Sequence, residues 1–171
     1  MTIAWVFPGQ GSQKLGMANG VINLPGAKER FDYASKLLKR DLLQICSQES
    51  QNPNRNYDLN QTINTQPAMF VVESLLIDEL KRQGREASLF AGHSLGEIVA
   101  LYAAEVFGME TALNLLKIRS ELMDSASNGS MTAVLGFDRK ELENLVSSTD
   151  GVVIANDNSS SQVVLSGIPE A

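Results

Sequence analysis

A single histidine and a single cysteine occur in these 171 residues, and each scarcity removes a class of protein. Cys46 has no second thiol to pair with, so an internal disulfide framework is excluded and a reducing, cytoplasmic setting fits. One histidine and one cysteine also leave too few ligands for a transition-metal centre, and no metal is expected. No block of lysine or arginine relieves a net charge of −6, which argues against nucleic acid as a partner. No apolar run is long enough to cross a bilayer, so no membrane segment is expected. The short run 3–7, ended by Pro8-Gly9, does not resemble a signal peptide. What is present, at 43% hydrophobic and 20% charged residues, is enough to bury a core.

The most informative motif is Gly92-His93-Ser94-Leu95-Gly96. Residues 87–91 read as a short buried strand, and residues 98–106 are apolar on nearly every side, as in a buried helix. Strand, sharp turn and helix form the setting in which such a serine becomes a nucleophile. The glycines let backbone segments approach too closely for a Cβ, and the helix start aims amides at a developing oxyanion. A serine hydroxyl needs a base. The one histidine, His93, is its immediate neighbour, and adjacent side chains on a tight elbow point apart. His93 therefore reads as a support of the turn. The base is a carboxylate or lysine, or it lies outside these residues; the second is favoured.

Along the chain, residues 2–7 read as a buried strand followed by the loop Pro8-Gly9-Gln10-Gly11-Ser12-Gln13. Residues 27–40 form a helix with the stripe Phe31, Ala34, Leu37 and Leu38, and 41–47 a shorter one. Residues 48–58 are a polar surface loop. An amphipathic helix spans 67–83, capped by Thr65 and stopped at Gly84, and another spans 109–127. Beyond Ser127 the texture changes. A strand at 131–136 precedes a helix to Val146 that Asp138 caps, with Glu141 completing a capping box. Strands at 152–155 and 162–166 follow, joined by a turn-rich 156–161. Strand, helix, strand, strand is the first part of a ferredoxin-like split unit. The expected fold is α/β: a hydrolase-like large subdomain with a parallel sheet and nucleophile elbow over 1–127, then an incomplete ferredoxin-like α+β subdomain over 128–171. A sheet left at that stage exposes an apolar face and an unpaired edge.

On a wheel of residues 109–124, Arg119 falls at the centre of the apolar arc of Ala112, Leu115, Leu116, Ile118, Leu122 and Met123. A buried guanidinium demands a partner. A protein carboxylate, escape of the head to the surface and a substrate carboxylate held by two parallel hydrogen bonds are equally open. The loop after the first strand has Lys14 where a dinucleotide fingerprint needs glycine, and it lacks Gly-Lys-[Ser/Thr]. Nucleotide binding is therefore not expected, and no cofactor is. The loop is either a plain tight turn or a place where an amide meets an oxyanion.

Together, Phe7-Pro8-Gly9-Gln10-Gly11-Ser12-Gln13, Thr65-Gln66-Pro67-Ala68, Gly92-His93-Ser94-Leu95-Gly96-Glu97 and Ile118-Arg119-Ser120 closely resemble malonyl-CoA:acyl carrier protein transacylase, and residues 156–167 resemble its small subdomain. The resemblance covers the whole chain in the family's order. It implies ping-pong transfer in fatty acid biosynthesis: Ser94 takes a malonyl group from malonyl-CoA, then passes it to the phosphopantetheine thiol of acyl carrier protein. It implies an oxyanion hole at the amides of Gln10 and Leu95, a malonate-binding Arg119, a pocket glutamine at Gln66 and a supporting His93. Met1 shortly before the first strand favours a stand-alone enzyme of the bacterial type II system, monomeric at full length. Family members run considerably further, and their catalytic histidine lies in the part without a counterpart here. The chain is therefore expected to be a fragment with little activity alone. The competing readings are a serine thioesterase or other hydrolase sharing the elbow, and a non-catalytic binding module. Hydrolase chemistry does not require Arg119 on the apolar face or the Gly-Gln-Gly-Ser-Gln loop.

Overall fold

The structure is a computed structural model that describes residues 2–47, 54–126 and 129–171. The chain divides into two compact units, Met1–Ser125 and Ala126–Ala171. The boundary expected at 127/128, with Ser127 of the helix expected over 109–127, and most of the polar loop after Ser47 lie outside the described residues; Ala126 is described and is not helical.

In the first unit, β1 (Ala4–Phe7) pairs in parallel with β2 (Leu89–Gly92), with Phe7 opposite Gly92. Parallel neighbours need a long crossover, and three helices supply it: α1 (Ala27–Leu38), α2 (Leu42–Cys46) and α3 (Thr62–Arg82). Two more helices follow β2, α4 (Leu95–Ala103) and α5 (Met109–Ser125). Helix α1 stops where Lys39 turns left-handed (φ 56°) and its amide reaches back to Ser35 O, a common helix ending. Asp41 then caps α2 by accepting from the Gln44 amide at 2.9 Å.

Two expectations need correcting here. Helix α3 begins at Thr62, before Pro67, and Thr65 lies inside it. The Thr65 hydroxyl donates to Leu59 O at 2.6 Å instead of capping a helix start. Proline removes one backbone donor and fixes a φ that is already helical, so a helix can run through Pro67 when its environment is well packed. Nor is the first half of α3 amphipathic: Asn64 through Val72 are all buried, because this helix packs against α1, α2, α4 and α5. Its second half is fastened by an ion pair. Arg30 Nη2 on α1 donates to Asp78 Oδ2 on α3 at 2.6 Å, and the Tyr102 hydroxyl on α4 donates to Asp78 Oδ1 at 2.8 Å.

The strands are less buried than their apolar content suggests. Val6 is 73% and Leu89 60% exposed, since among the described residues this sheet has two strands and its helices cover it incompletely. The α4 segment is likewise buried on one face only: Leu95, Val99, Ala100 and Ala103 are inside, while Leu101 and Val106 are exposed. On α5 the buried face is Ala112, Leu113, Leu116 and Ser120. Leu115, Ile118, Leu122 and Met123 of the expected inward arc are exposed.

A groove of about 450 Å³ beside β1 is lined by Val6, Phe7, Leu76, Ile77 and Leu80, and Glu73 stands in it. Glu73 Oε2 is buried without a hydrogen-bond partner among the described residues. Burial pushes its carboxyl from the ordinary 4.5 up to about 7. An acid with a raised folded-state pKa holds its proton more tightly when folded, so its contribution is full below the unfolded value and is lost as pH rises through the folded one. The chain should therefore lose about 1–2 kcal/mol of stability between about pH 4.5 and 7 through Glu73. Urea unfolding of wild type against Glu73→Gln across that range isolates the effect, because the variant lacks this component of the slope.

The second unit is an antiparallel sheet in the order β3-β5-β4, formed by β3 (Ser130–Leu135), β4 (Val152–Ser159) and β5 (Gln162–Gly167). Helix α6 (Arg139–Ser148) follows β3, and Asp138 caps it by accepting from the Glu141 amide at 2.9 Å. This is the strand order of the first three strands of a split βαβ unit. The expected turn-rich stretch is mostly strand: β4 runs to Ser159 through register shifts between Ile154 and Asn156 and between Asp157 and Ser159. Such bulges leave an extra residue unpaired and bend the strand. Met131, Leu135 and Val153 are exposed.

Candidate active site

Ser94 sits between β2 and α4 with φ 54° and ψ −108°, a conformation non-glycine residues adopt at a cost of about 1–3 kcal/mol. Its surroundings enforce it. The His93 amide donates to Phe7 O at 3.1 Å, extending the β1–β2 ladder one step into the turn. The Gly96 and Glu97 amides then close the turn on His93 O and Ser94 O, at 2.9 and 3.1 Å. Close backbone approach explains the glycines. A Cβ on Gly92 would meet Gly96 O at 1.9 Å, and one on Gly96 would meet Phe7 O at 2.2 Å. Gly9 belongs to the same contact, since its Cβ would lie 2.8 Å from His93 O. The loop after β1 is thus pressed against the elbow.

Ser94 leaves the helix uncapped by its own side chain, so its hydroxyl is available for other contacts. Leu95 opens α4 and is fully buried. An amide at the first helical position has no intrahelical acceptor, and the helix dipole adds partial positive charge there. Gln10 lies in the loop, which is tied to the start of α3 at two points. Thr62 Oγ1 donates to Gln10 Oε1 at 2.9 Å, and Gln13 Nε2 donates to Asn60 Oδ1 at 3.0 Å.

Arg119 meets these groups from α5. Its Nη2 donates to Ser94 Oγ at 2.8 Å and its Nη1 to Gln66 Oε1 at 2.6 Å. Gln66 is fully buried on α3, and its Nε2 donates to Thr62 Oγ1 at 2.8 Å and towards Met123 Sδ at 3.3 Å. One continuous hydrogen-bonded path therefore joins Gln10, Thr62, Gln66, Arg119 and Ser94. Among the described residues the half-buried guanidinium donates to two neutral oxygens, those of Gln66 and Ser94, and its planar fork suits an incoming carboxylate. The sequence reading picked out Ser94, Gln66, Arg119 and Gln10, and missed Thr62. The signal for Thr62 was its spacing, four residues before Gln66 and so on the same helical face. Among the described residues no three histidine, cysteine, aspartate or glutamate side chains converge as a metal site would require.

The acyl transferase domain family matches residues 4–171. A malonyl CoA-acyl carrier protein transacylase of Synechocystis is 44% identical over 167 residues, covering 98% of this chain and 55% of the relative. The crystal structure of a Synechocystis malonyl-CoA:ACP transacylase superposes with a TM-score of 0.88 at 45% identity, over 98% of this chain and 55% of the other. A malonyl-transacylase solved in complex with a type II polyketide acyl-carrier protein superposes with a TM-score of 0.85 at 34% identity, over 99% of this chain and 56% of the other. The chain thus spans a little over half the length of these relatives. With a parallel sheet, a serine elbow and their fold, it belongs to the acyl transferase domain family and is similar within it to malonyl-CoA:acyl carrier protein transacylases.

Proposed function

We propose that this chain carries the acyl-accepting half of a malonyl transferase, with Ser94 as nucleophile, malonyl-CoA as donor and the phosphopantetheine thiol of acyl carrier protein as acceptor. The observation that carries the reading is the contact of Arg119 with both Ser94 and buried Gln66. A cation fixed beside a nucleophilic serine selects an acyl group that ends in a carboxylate. The malonyl carboxylate takes the guanidinium fork, which draws Nη2 away from Ser94 Oγ and frees the hydroxyl for attack. Binding the far end of the substrate then positions its thioester carbonyl against the serine.

Ser94 Oγ adds to the thioester carbon and its proton passes to a base. The amides of Gln10 and Leu95 hold the resulting oxyanion, a contribution of about 3–4 kcal/mol per donor in comparable sites. The C–S bond breaks, coenzyme A leaves as a thiol after taking a proton, and malonyl-Ser94 remains for the carrier-protein thiol. His93, next along an extended ladder, supports the elbow. In this reading the base is none of these residues, and the two units are portions of the large and small subdomains of an acyltransferase.

Mass spectrometry after incubation with malonyl-CoA tests this. Malonyl-Ser94 should form slowly, should form faster with added imidazole as a surrogate base, and should be absent in Ser94→Ala. Equal labelling of Ser94→Ala would overturn the nucleophile assignment. Rapid labelling without imidazole would overturn only the assignment of the base to residues outside this chain.

A further inference from the structure

We infer that Thr62 is a positioning residue that sets the direction of the whole hydrogen-bonded path at the site, and through it the aim of Arg119. The inference rests on the proposed function for what Arg119 binds, but its geometry stands independently.

A threonine hydroxyl has one proton to donate and lone pairs to accept with. Thr62 spends its proton on Gln10 Oε1 at 2.9 Å, which turns a lone pair toward Gln66. Gln66 Nε2 donates into it at 2.8 Å. With its amide nitrogen committed there, Gln66 must present Oε1 on its other side, where Arg119 Nη1 donates to it at 2.6 Å. The opposite amide orientation would set an NH₂ group against a guanidinium, donor against donor, inside a fully buried side chain. Such a group pays its full desolvation penalty. Met123 Sδ, the other neighbour of Nε2 at 3.3 Å, is too weak an acceptor to fix the amide alone. With Nη1 held by Gln66, Nη2 of the same planar group lies on Ser94 Oγ at 2.8 Å.

The same hydroxyl joins two parts of the chain, beside the second tie from Gln13 Nε2 to Asn60 Oδ1. Gln10 lies on the loop after β1, and Thr62 opens α3. A shift of the loop that supplies one oxyanion amide is thereby coupled to the group proposed to hold the substrate carboxylate. Thr62 touches no reacting atom; it acts through Gln66.

The test compares Thr62→Val, which keeps the shape and removes the hydroxyl, with Thr62→Ser, which restores it. The first readout needs no substrate. Nitrogen-15 NMR follows rotation of the Arg119 guanidinium about its Nε–Cζ bond and solvent exchange of the Gln66 side-chain amide. Thr62→Val should speed both by about tenfold, and Thr62→Ser should return both near wild type. The second readout is affinity for malonyl-CoA against acetyl-CoA by calorimetry. Thr62→Val should weaken malonyl-CoA about tenfold and leave acetyl-CoA unchanged.

An Arg119 signal unchanged in Thr62→Val, with or without a fall in thermal midpoint, overturns the positioning role and leaves Thr62 as a helix-start residue. Failure of the serine variant to restore the Arg119 signal overturns it equally. Wild type that binds malonyl-CoA no better than acetyl-CoA counts against the proposed function, while the NMR comparison still decides the role of Thr62.

Discussion

Gly96→Ala should unfold the chain or displace the elbow, with a loss of about 3–5 kcal/mol in urea unfolding. The added Cβ would lie 2.2 Å from Phe7 O and 2.8 Å from both Phe7 C and Pro8 O. All three are main-chain atoms at the end of β1, so no rotamer change relieves the overlap. Moving β1 aside would break its pairing of Phe7 with Gly92 and the bond from the His93 amide to Phe7 O. Moving α4 aside would open the packing of Leu95, Val99 and Ala103, all fully buried or nearly so. Gly92→Ala should be as severe, since its Cβ would sit 1.9 Å from Gly96 O. Gly20→Ala is the control. Nothing lies within 4 Å of its Cβ, and reduced freedom of the unfolded chain should make it neutral or stabilising by up to about 1 kcal/mol. Similar losses at Gly20 and Gly96 would show that close approach of β1 and α4 is not what the glycine secures.

Arg119→Ala should cut malonyl labelling of Ser94, measured with saturating imidazole, by about 100-fold or more. Labelling from acetyl-CoA should change by less than about tenfold. The difference follows from what each acyl group brings. Malonyl ends in a carboxylate that would be desolvated with no cation facing it, whereas acetyl has nothing to pair. Arg119→Lys should recover only part of the loss, because an ammonium keeps the charge and cannot hold Gln66 and a carboxylate in one plane. A uniform drop with both donors would reassign Arg119 to supporting the elbow through its bond to Ser94 Oγ.

The contrast between what the sequence disclosed and what it hid has a physical pattern. The Asp138 cap was readable because a cap is a local interaction, settled within one helical turn. The elbow was readable because glycine on both sides of a serine reports a steric demand on the backbone itself. The start of α3 was not. Pro67 looks like a beginning, and only packing against several other helices decides that the turn before it is helical too. Burial of the strands was misjudged for a related reason. Val6 and Leu89 are apolar, but whether an apolar side chain is covered depends on what lies across from it, and that is not a property of its own segment. The outward-facing Ile118 and Leu122 of α5 repeat the lesson. At the site, Arg119 stood out because a cation on an apolar arc is a local anomaly. Thr62 is an ordinary polar residue in a polar stretch, and its part comes from Gln10, far away in the chain.

Cys46 is fully buried at the end of α2, and burial raises its thiol to about 12. The nucleophilic thiolate is thus almost absent at neutral pH while the fold is closed. Since this is the chain's one thiol, any reagent that modifies it keeps a record of each moment the packing around α2 opens. The protein carries its own clock for breathing, with no label to introduce and no second cysteine to blur the reading.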